Sequence, residues 1–159
     1  MSATTYYYSP LGWVEIRASH EAVTSVICCG ERKNDNHNDH GSEILAECVR
    51  QLDEYFNGQR THFDIPVNQE GTVFQKNVWK ALMDIPFGKT VSYGDVAKVL
   101  NHPKAARAVG AANGRNKVWI IVPCHRVIGA DGSLTGYAGG IDRKKWLLDH
   151  ENEIVQILK

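Results

Sequence analysis

Cys124, His125 and Arg126 stand in consecutive positions directly after Pro123. A thiol, an imidazole and a guanidinium side by side can do nucleophilic chemistry. A free thiol has a pKa near 8.5 and only its thiolate attacks well, so a reactive cysteine needs a base or a positive charge close by. His125 and Arg126 are the nearest such groups in sequence. The competing reading is that Cys124 is a small buried hydrophobe, the ordinary fate of a cysteine.

The element that must position these residues precedes them. Val118-Trp119-Ile120-Ile121-Val122 is β-branched or aromatic at every position. A continuous apolar run of this length suits a strand covered on both faces. Pro123 has no N–H to give a ladder and would end it. The expectation is a buried strand that delivers Cys124 to the floor of a site with rigid walls.

With 159 residues the chain can form one ordinary domain, or a small domain followed by a compact second one. No stretch approaches the length of a membrane span. The first residues, with Tyr6-Tyr7-Tyr8 and no basic apolar leader, do not read as a signal peptide. A soluble cytosolic protein is expected, and Cys28, Cys29, Cys48 and Cys124 read as reduced thiols. The net charge of zero hides an asymmetry. Acidic residues outnumber basic ones up to Glu70, whereas from Lys89 to Arg126 the cations Lys89, Lys98, Lys104, Arg107, Arg115, Lys117 and Arg126 face only Asp95. A basic surface of this kind suits a polyanion, and it equally suits a merely solvated face.

Thr4 to Tyr8, Gly12 to Ala18 and Ala22 to Cys29 read as strands of an antiparallel meander, with turn signals at Ser9-Pro10 and Ser19-His20-Glu21. Glu31 to Gly41 is a polar loop. His37 and His40 lie in it without partners at a ligand spacing, and no metal is expected. Ser42 can cap a helix in which Ile44, Leu45, Cys48, Leu52, Tyr55 and Phe56 recur, with Gly58 as a left-handed stop. Thr61 to Val67 is a candidate further strand. From Thr72 the pattern turns helical. Phe74, Val78 and Leu82 share a face beside Trp79, and Pro86-Phe87-Gly88 mark the exit. Ser92 and Asp95 form a capping box for a helix through Leu100, with Val96, Val99 and Leu100 turned inward. Asn101-His102 make a tight link, and Pro103 opens a helix from Lys104 to Ala112, closed by Asn113-Gly114. Helix, short turn and helix is a helix-turn-helix pattern. Its second helix, with Ala105, Ala106, Ala108, Gly110, Ala111 and Ala112, is thin and carries few side chains that could read base edges.

Pro123-Cys124-His125-Arg126-Val127, preceded by Arg107-Ala108-Val109-Gly110 and followed by Gly136-Tyr137-Ala138-Gly139-Gly140, resembles the active-site region of the O6-alkylguanine-DNA alkyltransferases. The resemblance runs from about Thr72 to Glu151 and extends more weakly to Ser9-Pro10-Leu11-Gly12. It implies an α/β protein with a small N-terminal sheet-plus-helix, ribonuclease H-like domain (1–70). A mainly helical C-terminal domain (71–159) follows, with a helix-turn-helix and the active-site cysteine. The implied activity is direct-reversal repair: an O6-alkylguanine, or an O4-alkylthymine, is flipped from duplex DNA and its alkyl group passes irreversibly to Cys124. The implied partner is double-stranded DNA, held through the minor groove with little sequence preference by a monomer without a cofactor.

The same resemblance assigns roles. His125 acts on the thiol through a water, Glu151 orients the imidazole, and Asn116 braces the turn before the active-site segment. Tyr137 donates near guanine N3, and the carbonyls of Cys124 and Val127 accept from the exocyclic amine. Trp119 walls the pocket, Gly139 allows close approach, and Ala138 stands where some members have a serine. Tyr93 crowds the phosphate, Arg107 fills the gap left in the duplex, and Ala105, Ala106 and Arg126 complete the DNA-facing set. Three rivals stay open. A cysteine hydrolase would need a direct Cys124–His125 pair, awkward for neighbours in an extended segment. A helix-turn-helix regulator would need no reactive thiol. A non-catalytic sensor of alkylated bases would resemble the alkyltransferase-like proteins, which lack this cysteine.

Overall fold

Alternate side chains of three consecutive segments turn to one face, and backbone pairing follows from that alternation. The structure is a computed structural model that describes residues 2–31 and 41–158. In it β1 (Ala3–Ser9), β2 (Gly12–Ala18) and β3 (Val23–Gly30) form an antiparallel meander in the order β1-β2-β3. Val14, Ile16 and Ala18 of β2 are wholly buried. Gly12 sits at φ 94°, and a Cβ there would lie 3.1 Å from the Gly30 carbonyl oxygen, so the hairpin requires a glycine. His37 and His40, raised as metal ligands and set aside, lie outside the described residues.

Helix α1 (Glu43–Phe56) covers the sheet. Ser42 caps it by accepting from the Leu45 amide, and Gly58 follows its end at φ 75°. Leu45, Cys48, Leu52, Tyr55 and Phe56 are buried, each large apolar side chain stabilising the unit by roughly 1.5–3 kcal/mol. The expected strand from Thr61 to Val67 does not form. Only Val67 makes a bridge, parallel to Val23, because Pro66 offers a carbonyl but no N–H and buried Gln51 takes both backbone groups of Asp64. These elements, with Lys117–Trp119, make one of two compact units.

The other unit comprises Glu70–Asn116 and the chain from Ile120 onward. Its helix α2 (Val73–Leu82) opens on a reciprocal capping box between Thr72 and Gln75. Two residues of β4 (Val91–Ser92) then pair in parallel with β5 (Val127–Ile128). Helix α3 (Tyr93–Val99) has the expected Ser92/Asp95 capping box, but Val99 is 71% exposed rather than turned inward. Asn101 takes φ 61°, a left-handed turn that asparagine tolerates. Helix α4 (Ala106–Gly114) begins later than the proline suggested, with no side-chain cap, and runs through the asparagine expected to stop it. Asn113 continues the helix because its side chain is buried and hydrogen-bonded to the Cys124 carbonyl. The indole of Trp79 donates to the Ala112 carbonyl at 2.9 Å and ties α2 to α4. Helix α5 (Ile141–Leu158) completes the unit. Among the described residues no helix is long and apolar enough to cross a membrane.

Candidate active site

The segment from Val118 to Val122 is buried as its composition predicts, but it is not a strand. Val118 alone makes a ladder contact, a parallel bridge to Val26 within the first unit. Ile120 then takes φ 73°, a region that β-branched residues rarely enter, at a cost of about 1–3 kcal/mol. Side chains supply what a ladder would have supplied: Asn116 Nδ2 donates to the Val122 carbonyl at 2.9 Å and Asn113 Nδ2 to the Cys124 carbonyl at 3.2 Å. Pro123, at φ −81° and ψ 63°, is the centre of an inverse γ-turn closed by the Cys124 amide on the Val122 carbonyl at 2.8 Å.

Cys124, His125 and Arg126 follow as a single 3-10 turn. Successive side chains in such a turn diverge by about 120°. The thiol and imidazole therefore leave the backbone in different directions through helical turning, not through the extended geometry expected. His125 is wholly buried, and its Nε2 lies 2.6 Å from Glu151 Oε2 on α5. Its Nδ1 is buried and has no protein partner among the described residues. Glu151 also receives the Gly88 amide on Oε1 at 3.1 Å. Both its oxygens are further engaged by Arg126, Nε to Oε1 at 2.8 Å and Nη2 to Oε2 at 3.0 Å.

That pairing corrects the placement of Arg126 on a DNA-facing surface. The side chain is buried, its third nitrogen donates to the Ile85 carbonyl, and its guanidinium lies over the Phe87 ring. Three of its five N–H groups are so engaged, and its burial keeps the guanidinium from a surface phosphate. The Cys124 carbonyl accepts from Asn113 and from the Val127 amide. The Val127 carbonyl accepts from Lys144 Nζ at 2.5 Å and keeps one lone pair.

Burial pushes the Cys124 thiol up to about 11, partly countered by a hydrogen bond from Asn116 and the charge of Lys144. Burial lowers His125 below the ordinary histidine value. Glu151 pulls it back, and the charges of Arg126 and Lys144 add to the lowering. For Glu151 burial alone would raise the carboxyl, but His125 and Arg126 reverse that and hold it well below the usual range. The resting combination is a neutral thiol, a neutral imidazole and an ionised carboxylate.

The other expected site residues fall in several places. Tyr137 is buried, Ala138 is exposed and Gly139 is half-buried. Tyr93 is half-buried, and its hydroxyl donates to the Thr135 carbonyl at 2.9 Å. Arg107 is exposed on α4, with Ala105 and Ala106 half-buried at its start. Trp119 belongs to the first unit, where its buried side chain follows an amide that donates to Val26. Among the described residues no group of three or more His, Cys, Asp or Glu is placed to hold a metal ion.

Sequence reasoning missed Lys144 and Asn113. Lys144 is wholly buried, with Nζ donating to the Val127 and Thr135 carbonyls. It sits in Arg143-Lys144-Lys145, which reads as a solvated charge run. A signal was present: Lys144, Leu147 and Glu151 are spaced i, i+3, i+7, and they are the buried residues of α5.

Fold and site together define a protein with a sheet-plus-helix unit and a helix-turn-helix unit, the latter built around a buried thiol, imidazole and carboxylate. Residues 73–153 match the DNA binding domain, and residues 3–69 the ribonuclease-like domain, of 6-O-methylguanine DNA methyltransferase. A methylated-DNA--protein-cysteine methyltransferase of Methanosarcina acetivorans is 47% identical over 148 residues, 91% of this chain and 95% of the relative. The crystal structure of Mycobacterium tuberculosis O6-methylguanine methyltransferase superposes with a TM-score of 0.87 at 41% identity, covering 100% of both chains. That of Mycobacterium tuberculosis OGT in complex with DNA gives 0.85 at 44% identity, over 96% of this chain and 93% of that one. The chain belongs to the 6-O-methylguanine DNA methyltransferase family.

Proposed function

We propose that Cys124 is the acceptor in direct-reversal DNA repair, taking the alkyl group from O6-alkylguanine in duplex DNA once per protein molecule. The observation that carries this reading is the line from thiol to carboxylate. Cys124 is braced by Asn116, and the next residue, His125, has one nitrogen on Glu151 and the other without a protein partner. The resting thiol is protonated, so attack requires a base, and His125 Nδ1 is a neutral acceptor that a single water can link to it. As the proton leaves, sulfur bonds to the alkyl carbon and the bond from that carbon to O6 breaks. The electron pair stays with guanine, and Tyr137 eases its departure by donating to the ring. The thioether product has no hydrolytic exit, so the protein is consumed.

Reaching the base requires extrusion from the stack, at a cost of a few kcal/mol that is smaller for a damaged base. The exposed Arg107 on thin helix α4 fits the gap-filling role, and Tyr93, at the start of α3, fits the phosphate-crowding role. The small side chains of α4 favour contact with the minor groove without base reading. Ala138 and Gly139 complete the pocket in this reading, and a cytoplasmic location and monomeric state accompany it. The division of labour is a DNA-handling C-terminal part (71–159) and a supporting N-terminal part (1–70).

The test is mass spectrometry of the intact protein after incubation with a duplex carrying one O6-methylguanine. One methyl is expected on the Cys124 peptide, never more than one per molecule, and none in Cys124→Ala or with unmodified duplex. Sustained turnover of excess lesion, or tight lesion binding without mass gain, would refute the reading.

A further inference from the structure

The carboxylate of Glu151 serves two partners at once. A buried carboxylate facing an imidazole alone would draw a proton onto the ring, since an opposite charge in low dielectric favours the charged form. Here Glu151 has no exposure, and both its oxygens are held by Arg126 at 2.8 and 3.0 Å. The charge of the carboxylate is thus already balanced by a guanidinium. Lys144, also without exposure, brings a second cation whose hydrogen bonds go to the Val127 and Thr135 carbonyls. Protonating His125 would put three buried cations around one anion. Glu151 and Lys144 on α5, Arg126 on the same 3-10 turn, and the neighbouring thiol of Cys124 are the charged and titratable groups around the ring.

We infer that Arg126 is a positioning residue for the proton transfer: by clamping Glu151 with two parallel hydrogen bonds, it fixes the carboxylate against His125 Nε2 while balancing its charge, so Nδ1 stays open for the thiol proton. The carboxylate then orients the ring without protonating it. When the thiol proton arrives, His125 becomes imidazolium and thiolate forms at the same time, so the net charge of the buried cluster does not change. The inference rests on the reading that Cys124 loses its proton to His125.

The experiment compares wild type, Arg126→Met and Arg126→Lys in the rate of methyl transfer from the O6-methylguanine duplex across pH 5 to 9. His125 ring titration is followed by NMR on the same proteins, with duplex affinity as a side measurement. Wild-type His125 is expected to titrate below the ordinary value of about 6.5. In Arg126→Met its titration and the acid limb of the rate profile should move up together by about one to two pH units. The rate above both limbs should also fall severalfold, because the carboxylate is no longer held against the ring, and Arg126→Lys should show smaller changes in both. An equal loss of rate at every pH with His125 unmoved would overturn the inference, as would weakened duplex affinity on an unchanged profile. If Arg126→Met does not fold, the wild-type titration and Arg126→Lys decide: a wild-type value above 6.5, or no shift in Arg126→Lys, overturns it. Absence of methyl transfer in the wild-type protein would instead defeat the reading of Cys124 as acceptor.

Discussion

Glu151 makes four hydrogen bonds with His125, Arg126 and Gly88 from full burial, so its replacement tests the site with the least ambiguity. Glu151→Gln keeps the shape and removes the charge, which leaves the Arg126 guanidinium buried without a counter-ion. Breaking a buried pair from one side costs about 3–5 kcal/mol. A lowered urea midpoint of that size is expected. Arg126→Met in the same chain should recover part of it, because the stranded charge is then gone. A loss under about 1 kcal/mol would mean that water reaches the pair.

The helix ends carry a separate test. Ser92 accepts from the Asp95 amide and Asp95 returns the bond to the Ser92 amide, which starts α3 at Tyr93. Ser92→Ala should cost about 1 kcal/mol. Its consequence should reach beyond α3, because the Tyr93 hydroxyl holds the Thr135 carbonyl. Thr72→Ala removes the equivalent cap of α2 and is the control. Similar stability losses are expected in both, with faster amide hydrogen exchange over residues 135–140 in Ser92→Ala alone. Equal exchange in the two variants would show that Tyr93 does not depend on the α3 cap.

At the scale of the molecule, three buried groups set how stability follows pH. His125 and Glu151 both have folded-state values below their unfolded ones. Their contribution is complete above about 6.5 and about 4.3 respectively, and is lost as pH falls below each. Cys124 is raised to about 11, so its contribution is complete below about 8.5 and is lost as pH rises towards the folded value. The unfolding temperature should therefore be highest between about pH 6.5 and 8.5. In Cys124→Ala the alkaline fall should shrink while the acid fall remains, and an unchanged alkaline limb would remove the thiol as its cause.

The meander, the capped α1, the Ser92/Asp95 capping box, the helix-turn-helix and the order of thiol, imidazole and later carboxylate were legible along the chain. Each rests on local preference: alternation for strands, a hydroxyl followed three residues later by a side-chain acceptor for helix starts, a left-handed residue for stops. Local preference also misled where a distant group won. The apolar run before Pro123 reads as a strand, but Asn116 takes its Val122 carbonyl, Asn113 takes the Cys124 carbonyl just beyond, and Ile120 turns the chain instead. Arg126 reads as a surface cation until α5 brings Glu151 to it from 25 residues away. Lys144 reads as one charge in a run until its burial shows that it holds two carbonyls. By itself the sequence determined which reactive groups exist and which local elements carry them. Only the tertiary structure decided which charges lose their water and with whom they pair, because desolvation and pairing depend on neighbours that chain order does not reveal.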